Sequence, residues 1–298
     1  MNTDKTRDVA VIGLGQMGGG ITRNLDRAGL LGGVWDSNPA MRAPFTERED
    51  VAVAPPSELP AGLSRVLFVV PGTREIADCL TGPGGLLERM ESGGIILDLT
   101  TSDPGASGEL AAAAAARDID YLDCGMTGGA AGADAGTLTL MVGGKRQAVE
   151  RCVDIFDAIT GRFFHVGASG AGHTLKLIHN MVLHTMFLAN VEGVRMAAGM
   201  GIEPKTVIEV FNAGNARSFV SETRFPNHIL SGTWDARSTV ANLAKDLGLA
   251  TALSEREGAP TPFGDLTSKI LNRAIGAGME DTDFSKLYEA FEDLTGAP

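Results

Sequence analysis

VAVIGLGQMGGGITRNLDRAG, residues 9–29, is the stretch on which the fold turns. Val9 to Ile12 form an apolar run without polar alternation. GLGQMG follows, with Gly13, Gly15 and Gly18 at GxGxxG spacing, and the residues beyond keep the period of an amphipathic helix. Strand, glycine turn and helix in that order make the start of a dinucleotide-binding βαβ unit. Gly13 permits the tight turn, Gly15 lets the backbone approach a pyrophosphate, and Gly18 lets the helix pack closely. Leu14, Gln16 and Met17 complete the turn at the helix N-terminus, where unsatisfied N–H groups and the helix dipole favour an anion.

Downstream, a second strand ends at Asp36 in VWDS, at the distance expected of the residue that meets the ribose. A carboxylate there accepts both ribose hydroxyls and repels a 2′-phosphate. NAD is therefore the expected cofactor, with NADP as the alternative because Arg42 lies close in sequence. Asp36 has a second reading, as a turn or helix-cap residue before Asn38-Pro39. VVPG, with Val70 and Pro71, and DLTT, with Thr101, stand where further strands finish, and carboxyl ends of strands line the ligand crevice in this architecture.

The rhythm continues to about Val166 through LGGVWD, RVLFVVP, GIILDLT, YLDCG and LTLMVGG, short apolar runs alternating with helical patterns. Runs such as VLFVV lack polar alternation, as strands covered by helices on both faces do. The expectation is an α/β protein: a doubly wound parallel sheet over residues 1–167, then an all-α domain over 168–298. The second part reads as helices at 173–200, 204–212, 218–230, 239–257, 263–277 and 285–294, and the alanine run 111–116 as a packed helix.

At 298 residues the chain has length for two cores, and its 44% hydrophobic and 21% charged residues are those of a globular protein. A net charge of −12 without basic runs argues against nucleic acid. Cys79, Cys124 and Cys152 are scattered, with no CxxC spacing, so neither a disulfide framework nor a metal site is expected, and a reducing cytoplasm fits best. MNTDKTRD at the start is polar, which leads us to expect no secretory leader, and no apolar run reaches the length of a membrane span.

The chemistry concentrates in GAGHTLKLIHNMVLHTMFLA, from Gly170. The helix is apolar on almost every side and is expected to be buried between the domains, where polar groups are costly unless paired or used. Lys176 and Asn180, four residues apart, share a face. Alcohol oxidation needs a group that takes the hydroxyl proton as hydride leaves, and a lysine does this once partial burial disfavours its charge. The bland alternative is a lysine snorkelling from a helix end. His173, His179 and His184 are read as satisfied core or interface histidines rather than ligands.

DCGMTGGAAGADAGTL, residues 123–138, is glycine-rich after a strand. Thr127, Gly128 and Gly129 would offer a hydroxyl and successive N–H groups to a carboxylate, the alternative being an ordinary connection. In KDLGLA, Lys245 and Asp246 read by default as a solvated ion pair.

These four segments together resemble the β-hydroxyacid dehydrogenases, the 3-hydroxyisobutyrate dehydrogenase-like family, over essentially the whole chain. The resemblance implies a Rossmann domain joined to a helical domain by a long helix, and homodimers or homotetramers formed through the helical part. It implies Lys176 as acid/base supported by Asn180, with Thr127, Gly128 and Gly129 on the carboxylate of a small anionic hydroxy acid or its semialdehyde. Lys245 would lie beside substrate and cofactor, and Thr101 near the nicotinamide. Three departures stand out: the family's DAPVSGG reads DCGMTGG, placing Gly125 for proline and Thr127 for serine; its paired asparagines read His179-Asn180; and Cys124 and Met126 bring softer side chains to the same loop. Imine reductases and reductive aminases share the architecture but usually lack the lysine. Phosphogluconate dehydrogenase needs a longer helical portion. A non-catalytic NAD(P) sensor should have lost the lysine or the substrate glycines.

Overall fold

The computed structural model describes residues 7–296, so residues 1–6, where the expectation about a leader falls, lie outside the described residues. The chain divides into two compact units between Lys176 and Leu177.

The first unit is built on one eight-stranded sheet: β1 Val9–Ile12, β2 Leu31–Trp35, β3 Ala52–Val53, β4 Arg65–Phe68, β5 Ile95–Asp98, β6 Asp120–Thr127, β7 Leu138–Gly143 and β8 Thr160–Gly167. The strand order is β3-β2-β1-β4-β5-β6-β7-β8. The register sets Ile12 beside Phe68, Phe68 beside Asp98 and Asp98 beside Asp123, which brings the loops after β1, β4 and β5 to one level. Helices α1 Gln16–Arg27, α2 Pro39–Arg42, α3 Thr73–Thr81, α4 Leu86–Arg89, α5 Pro104–Ala115, α6 Gly129–Ala135, α7 Arg146–Glu150 and α8 Val153–Ile159 connect the strands. The two faces carry separate cores, one around Val11, Leu67, Leu97 and Phe156, the other around Ile12, Phe68, Ile96 and Leu110. Burial on both faces is why these strands read as continuous apolar runs.

One pairing departs from the expected all-parallel sheet. β7 runs antiparallel to β6, and β8 follows β7 in parallel. Only residues 128–137 separate Thr127 from Leu138, and a parallel return needs a crossover of about a dozen residues or more. β3 and β8 also lack the signature of a doubly covered strand, β3 because it is two residues long and β8 because none of its residues is fully buried.

Helix α9, Ala171–Gly199, carries the chain into the second unit. There it is followed by α10 Pro204–Ala213, a π-helical segment Val220–Ile229, α11 Val240–Glu257, α12 Pro262–Gly276, a 3₁₀ turn Phe284–Tyr288 and α13 Phe291–Thr295. Phe187, Val191, Phe225, Leu247, Leu271 and Leu287 are core residues here. The expected helix over 218–230 widens to π spacing because Pro226 has no N–H to give; Leu230 N–H reaches back five residues to Phe225 O at 2.8 Å. The helix expected over 285–294 is divided. Ser285 gives both its N–H and its hydroxyl to Asp283 Oδ1, tightening the first turn.

α9 also departs from expectation, because Leu175, Ile178 and Val182 form an exposed apolar stripe on the single chain. Among the described residues no helix is long and apolar enough to cross a membrane, and no group of three or more His, Cys, Asp or Glu is placed to hold a metal.

Candidate active site

The turn after β1 has the form its glycines predict. Gly13 sits at φ +96°, and a Cβ there would lie 2.2 Å from Val69 O; a Cβ on Gly18 would lie 1.8 Å from Gly13 O. Gly15 is different. It is exposed, and a Cβ there would meet nothing within 4 Å. Gly15 is the N-cap of α1 and places no side chain over the helix N-terminus. The cradle therefore has an open side where N–H groups converge, which fits a dinucleotide pyrophosphate.

Asp36 performs the turn role and leaves capacity for another. Its Oδ2 accepts Leu14 N–H at 2.7 Å, its Oδ1 accepts Asn38 N–H at 2.8 Å, and a carboxylate offers about four acceptor sites. Asn38 caps α2, its Oδ1 accepting Ala40 N–H at 3.0 Å. Arg42 lies over the Trp35 ring, 4.0 Å from its centroid. Thr100 Oγ1 accepts Val70 N–H at 3.2 Å, tying the β4 and β5 ends together beside Pro71 and Thr101.

The pleat of β6 sorts its side chains by face. Cys124 and Met126 belong to the core under α1, whereas Asp123 and Gly125 face the first turns of α9 and Thr127 shares their side of the strand by alternation. A Cβ on Gly125 would stand 2.5 Å from Lys176 Cβ and 2.8 Å from Gly172 O, so the lysine stem lies directly on the strand. Lys176 is 8% exposed. Thr127 is half-buried two residues farther along the same face, followed by Gly128 and Gly129 at φ +121° and +63°, both exposed.

Beneath the lysine turn lies a buried polar network. Asp123 accepts Gly170 N–H at 2.7 Å and His173 N–H at 2.9 Å. The His173 ring, fully buried, lies 2.8 Å from Ser107 Oγ through Nδ1 and 3.2 Å from Asp98 O through Nε2. Tyr121 donates its hydroxyl to Asp98 Oδ2 at 2.7 Å. Burial pushes the Asp98 carboxyl above its ordinary range, against the opposing pull of His173 and the Tyr121 hydroxyl. Cysteine chemistry has no place here: Cys124 and Cys152 are buried, and burial carries the Cys152 thiol up to about 12.

In the second unit Asn180 is 6% exposed, and its Nδ2 donates to Asp246 Oδ2 at 2.6 Å. Its Oδ1 lies 3.0 Å from His179 Nδ1. Lys245 Nζ stands 3.7 Å from Asp246 Oδ1, with the lysine partly exposed and the aspartate nearly buried. That corrects the reading of the pair as solvated, since the buried carboxyl orients the Asn180 amide.

With this geometry in place, comparison with known proteins is decisive. The family described as the NAD binding domain of 6-phosphogluconate dehydrogenase matches residues 8–167. The family described as NAD-binding of NADP-dependent 3-hydroxyisobutyrate dehydrogenase matches residues 170–291. The chain belongs to the β-hydroxyacid dehydrogenase family. It is an NAD(P)-dependent dehydrogenase acting on CH–OH groups. A 2-(hydroxymethyl)glutarate dehydrogenase of Eubacterium barkeri is 29% identical, covering 98% of this chain and 97% of that protein. An NAD-dependent L-serine dehydrogenase of Pseudomonas aeruginosa is 28% identical, covering 97% and 99%. A Mycobacterium tuberculosis 3-hydroxyisobutyrate dehydrogenase solved with L-serine superimposes with a TM-score of 0.86 at 26% identity, covering 95% and 98% of the two chains.

Against the β-hydroxyacid dehydrogenase pattern, Gly125 is the departure with a visible consequence, since it is the point of contact with Lys176. Thr127 keeps a hydroxyl, and His179 keeps Asn180 company within hydrogen-bond distance. Sequence reasoning missed Asp98, Ser107, Tyr121 and Asp123 altogether and gave His173 only a generic role. A carboxylate inside the apolar strand YLDCG was the available signal, because a buried charge requires partners.

Proposed function

We propose that this dehydrogenase interconverts a small 3-hydroxy acid of the 3-hydroxyisobutyrate type and its semialdehyde, with Lys176 as general acid/base. The supporting observation is the buried Lys176 seated on Gly125, on the same strand face as Thr127 and just before Gly128 and Gly129. In this reading Thr127 Oγ1 and the N–H groups of Gly128 and Gly129 hold the substrate carboxylate. Lys176 Nζ takes the hydroxyl proton in oxidation and returns it in reduction. Asn180, its amide oriented by Asp246, holds the substrate hydroxyl or the lysine, and Lys245 adds positive charge near an anionic substrate. The bound nicotinamide supplies or receives the hydride.

Three of the relatives' names share one chemical group, whereas the L-threonate of a Cupriavidus necator relative carries a hydroxyl on the corresponding carbon. 2-(Hydroxymethyl)glutarate, L-serine and 3-hydroxyisobutyrate all carry a hydroxymethyl on the carbon that bears the carboxylate. NAD is preferred over NADP in this reading, because Asp36 faces the ribose position with carboxylate capacity to spare and Arg42 is held against Trp35. The reading is tested by following nicotinamide absorbance with 3-hydroxyisobutyrate, 3-hydroxypropionate, L-serine, glycerate, threonate and 4-hydroxybutyrate, each with NAD and NADP. We expect turnover with a hydroxymethyl acid and at least about a tenfold kcat/KM preference for NAD, since like charges brought together cost several kcal/mol. Equal use of NADP removes the role given to Asp36. Silence with every acid while NADH still binds overturns the substrate class and shifts weight to imine chemistry or a sensor.

We also infer a homodimer or homotetramer. Ile178 and Val182 on α9 and Phe263 and Leu266 on α12 are 44%, 49%, 76% and 58% exposed. The two helices are adjacent, with Thr185 Oγ1 2.9 Å from Thr267 Oγ1. An apolar surface of this kind rimmed by polar residues marks an association site. Sedimentation velocity at micromolar concentration should give a dimer or tetramer; a monomer overturns the inference. The cytoplasm, a reducing compartment, suits the three free cysteines.

A further inference from the structure

We propose that Asp123 is a positioning residue for Lys176: by accepting the N–H groups of Gly170 and His173, its carboxyl group sets where the first turns of α9 rest on β6. The inference rests on Lys176 being the acid/base.

The first turn of a helix presents N–H groups with no partner inside the helix, and a side-chain oxygen ordinarily meets them from the residue just before. In α9 the acceptor comes instead from a strand 47 and 50 residues away in sequence. Asp123 is fully buried, and its two oxygens each take one of these N–H groups. The seat around it is shaped by absent side chains. A Cβ on Gly172 would lie 2.2 Å from Asp123 O and 2.4 Å from Met141 O, and a Cβ on Gly143 would lie 2.5 Å from Asp123 Oδ1. The helix start is thus pressed onto β6 and β7 and pinned by two hydrogen bonds to one carboxyl group.

Lys176 follows His173 by three residues, less than one turn, so any shift of the pinned amides is carried into the lysine. Thr127 is four residues beyond Asp123 on the same strand face. One strand therefore fixes both the lysine, through Asp123 and Gly125, and the hydroxyl assigned to the substrate. His173 adds a lateral clamp through Ser107 and Asp98 O, but it contacts a neighbouring strand and helix and leaves the position along β6 to Asp123.

The test is Asp123→Asn, which keeps shape but turns an acceptor into an NH₂ group facing an N–H. With NAD and either 3-hydroxyisobutyrate or L-serine, kcat should fall about tenfold or more, since small misplacements of a reacting group are costly. KM for the acid should stay within about threefold and the NADH dissociation constant should not change, because the residues assigned to binding are untouched. The deuterium isotope effect on kcat with substrate labelled at the hydroxymethyl carbon should rise toward that of a fully rate-limiting hydride transfer. A kcat within twofold of the original protein overturns the inference, as does a loss shared equally by KM and NADH affinity. Lys176→Ala in the same assay separates the two readings: if it stays active, the acid/base role fails and this inference falls with it; if it is inactive while Asp123→Asn is not, only the positioning role fails. Should Asp123→Asn not fold, or neither acid be turned over, amide exchange on the unmodified protein decides. The Gly170 and His173 amides should be protected like those of the α9 interior, and loop-like exchange overturns the inference.

Discussion

Lys176→Ala is expected to lower kcat for the hydroxy acid by about three orders of magnitude while NADH binds as in the original protein; a positioned acid/base contributes roughly 10²–10⁴-fold. The separation follows from the placement of the groups. The GLGQMG turn, Asp36 and the ends of β4 and β5 belong to other strands and loops of the sheet than β6, on which the Lys176 stem is seated. Removing the side chain leaves the pyrophosphate cradle intact and deletes the group seated on Gly125. Lys176→Arg should be equally inactive, because a guanidinium stays protonated and cannot take the hydroxyl proton. Adding a small primary amine to Lys176→Ala should restore part of the rate, since the vacated stem leaves room beside Gly125. NADH titration by fluorescence and single-turnover absorbance measure the two quantities. Turnover within about tenfold of the original protein would remove lysine from the chemistry, a smaller loss than general acid–base catalysis accounts for.

What the sequence discloses about this site depends on how local each interaction is. Gly13, Gly15 and Gly18 are legible because turn, approach and packing are decided within six residues, and the central strands because both their faces are buried. Lys176 and Asn180 stand out as polar groups on an apolar helix. The reversal of β7 was written in the ten positions 128–137, too few for a crossover, but the apolar run LTLMVGG reads the same in either direction. Asp123 and His173 acquire their meaning from partners 47 to 75 residues distant, and no periodicity records such a pairing. Asp36 shows the intermediate case: it ties the turn through Leu14 and Asn38, as its second reading expects, and keeps acceptor capacity for the ribose contact proposed above. Asp246 was misjudged because a Lys-Asp pair on a helix is usually solvated, and only Asn180, 66 residues earlier, shows otherwise.

Gly125→Ala should lower kcat by about 100-fold, the loss associated with an ångström-scale misplacement of a reacting group. The added methyl would stand 2.5 Å from Lys176 Cβ and 2.8 Å from Gly172 O, and the second of these is backbone that cannot rotate away. Either α9 lifts from β6, straining the Asp123 hydrogen bonds, or the strand bends; both move Lys176 relative to Thr127. Overpacking of this kind costs about 1–3 kcal/mol in stability, so the melting temperature should fall by several degrees while the protein remains folded. NADH affinity should be unchanged, because β4 and β5 lie between β6 and the strand that carries the β1 turn. Gly108→Ala on α5 is the matched control: a Cβ there meets nothing within 4 Å, so an added methyl should leave turnover alone and favour the helix slightly. If Gly125→Ala turns over as fast as the original protein, the lysine does not depend on its seat against β6. In that case proline at this position in relatives and glycine here would be equivalent solutions. If the loss appears, the glycine that stands where the DAPVSGG pattern has proline is what allows α9 to lie directly on β6.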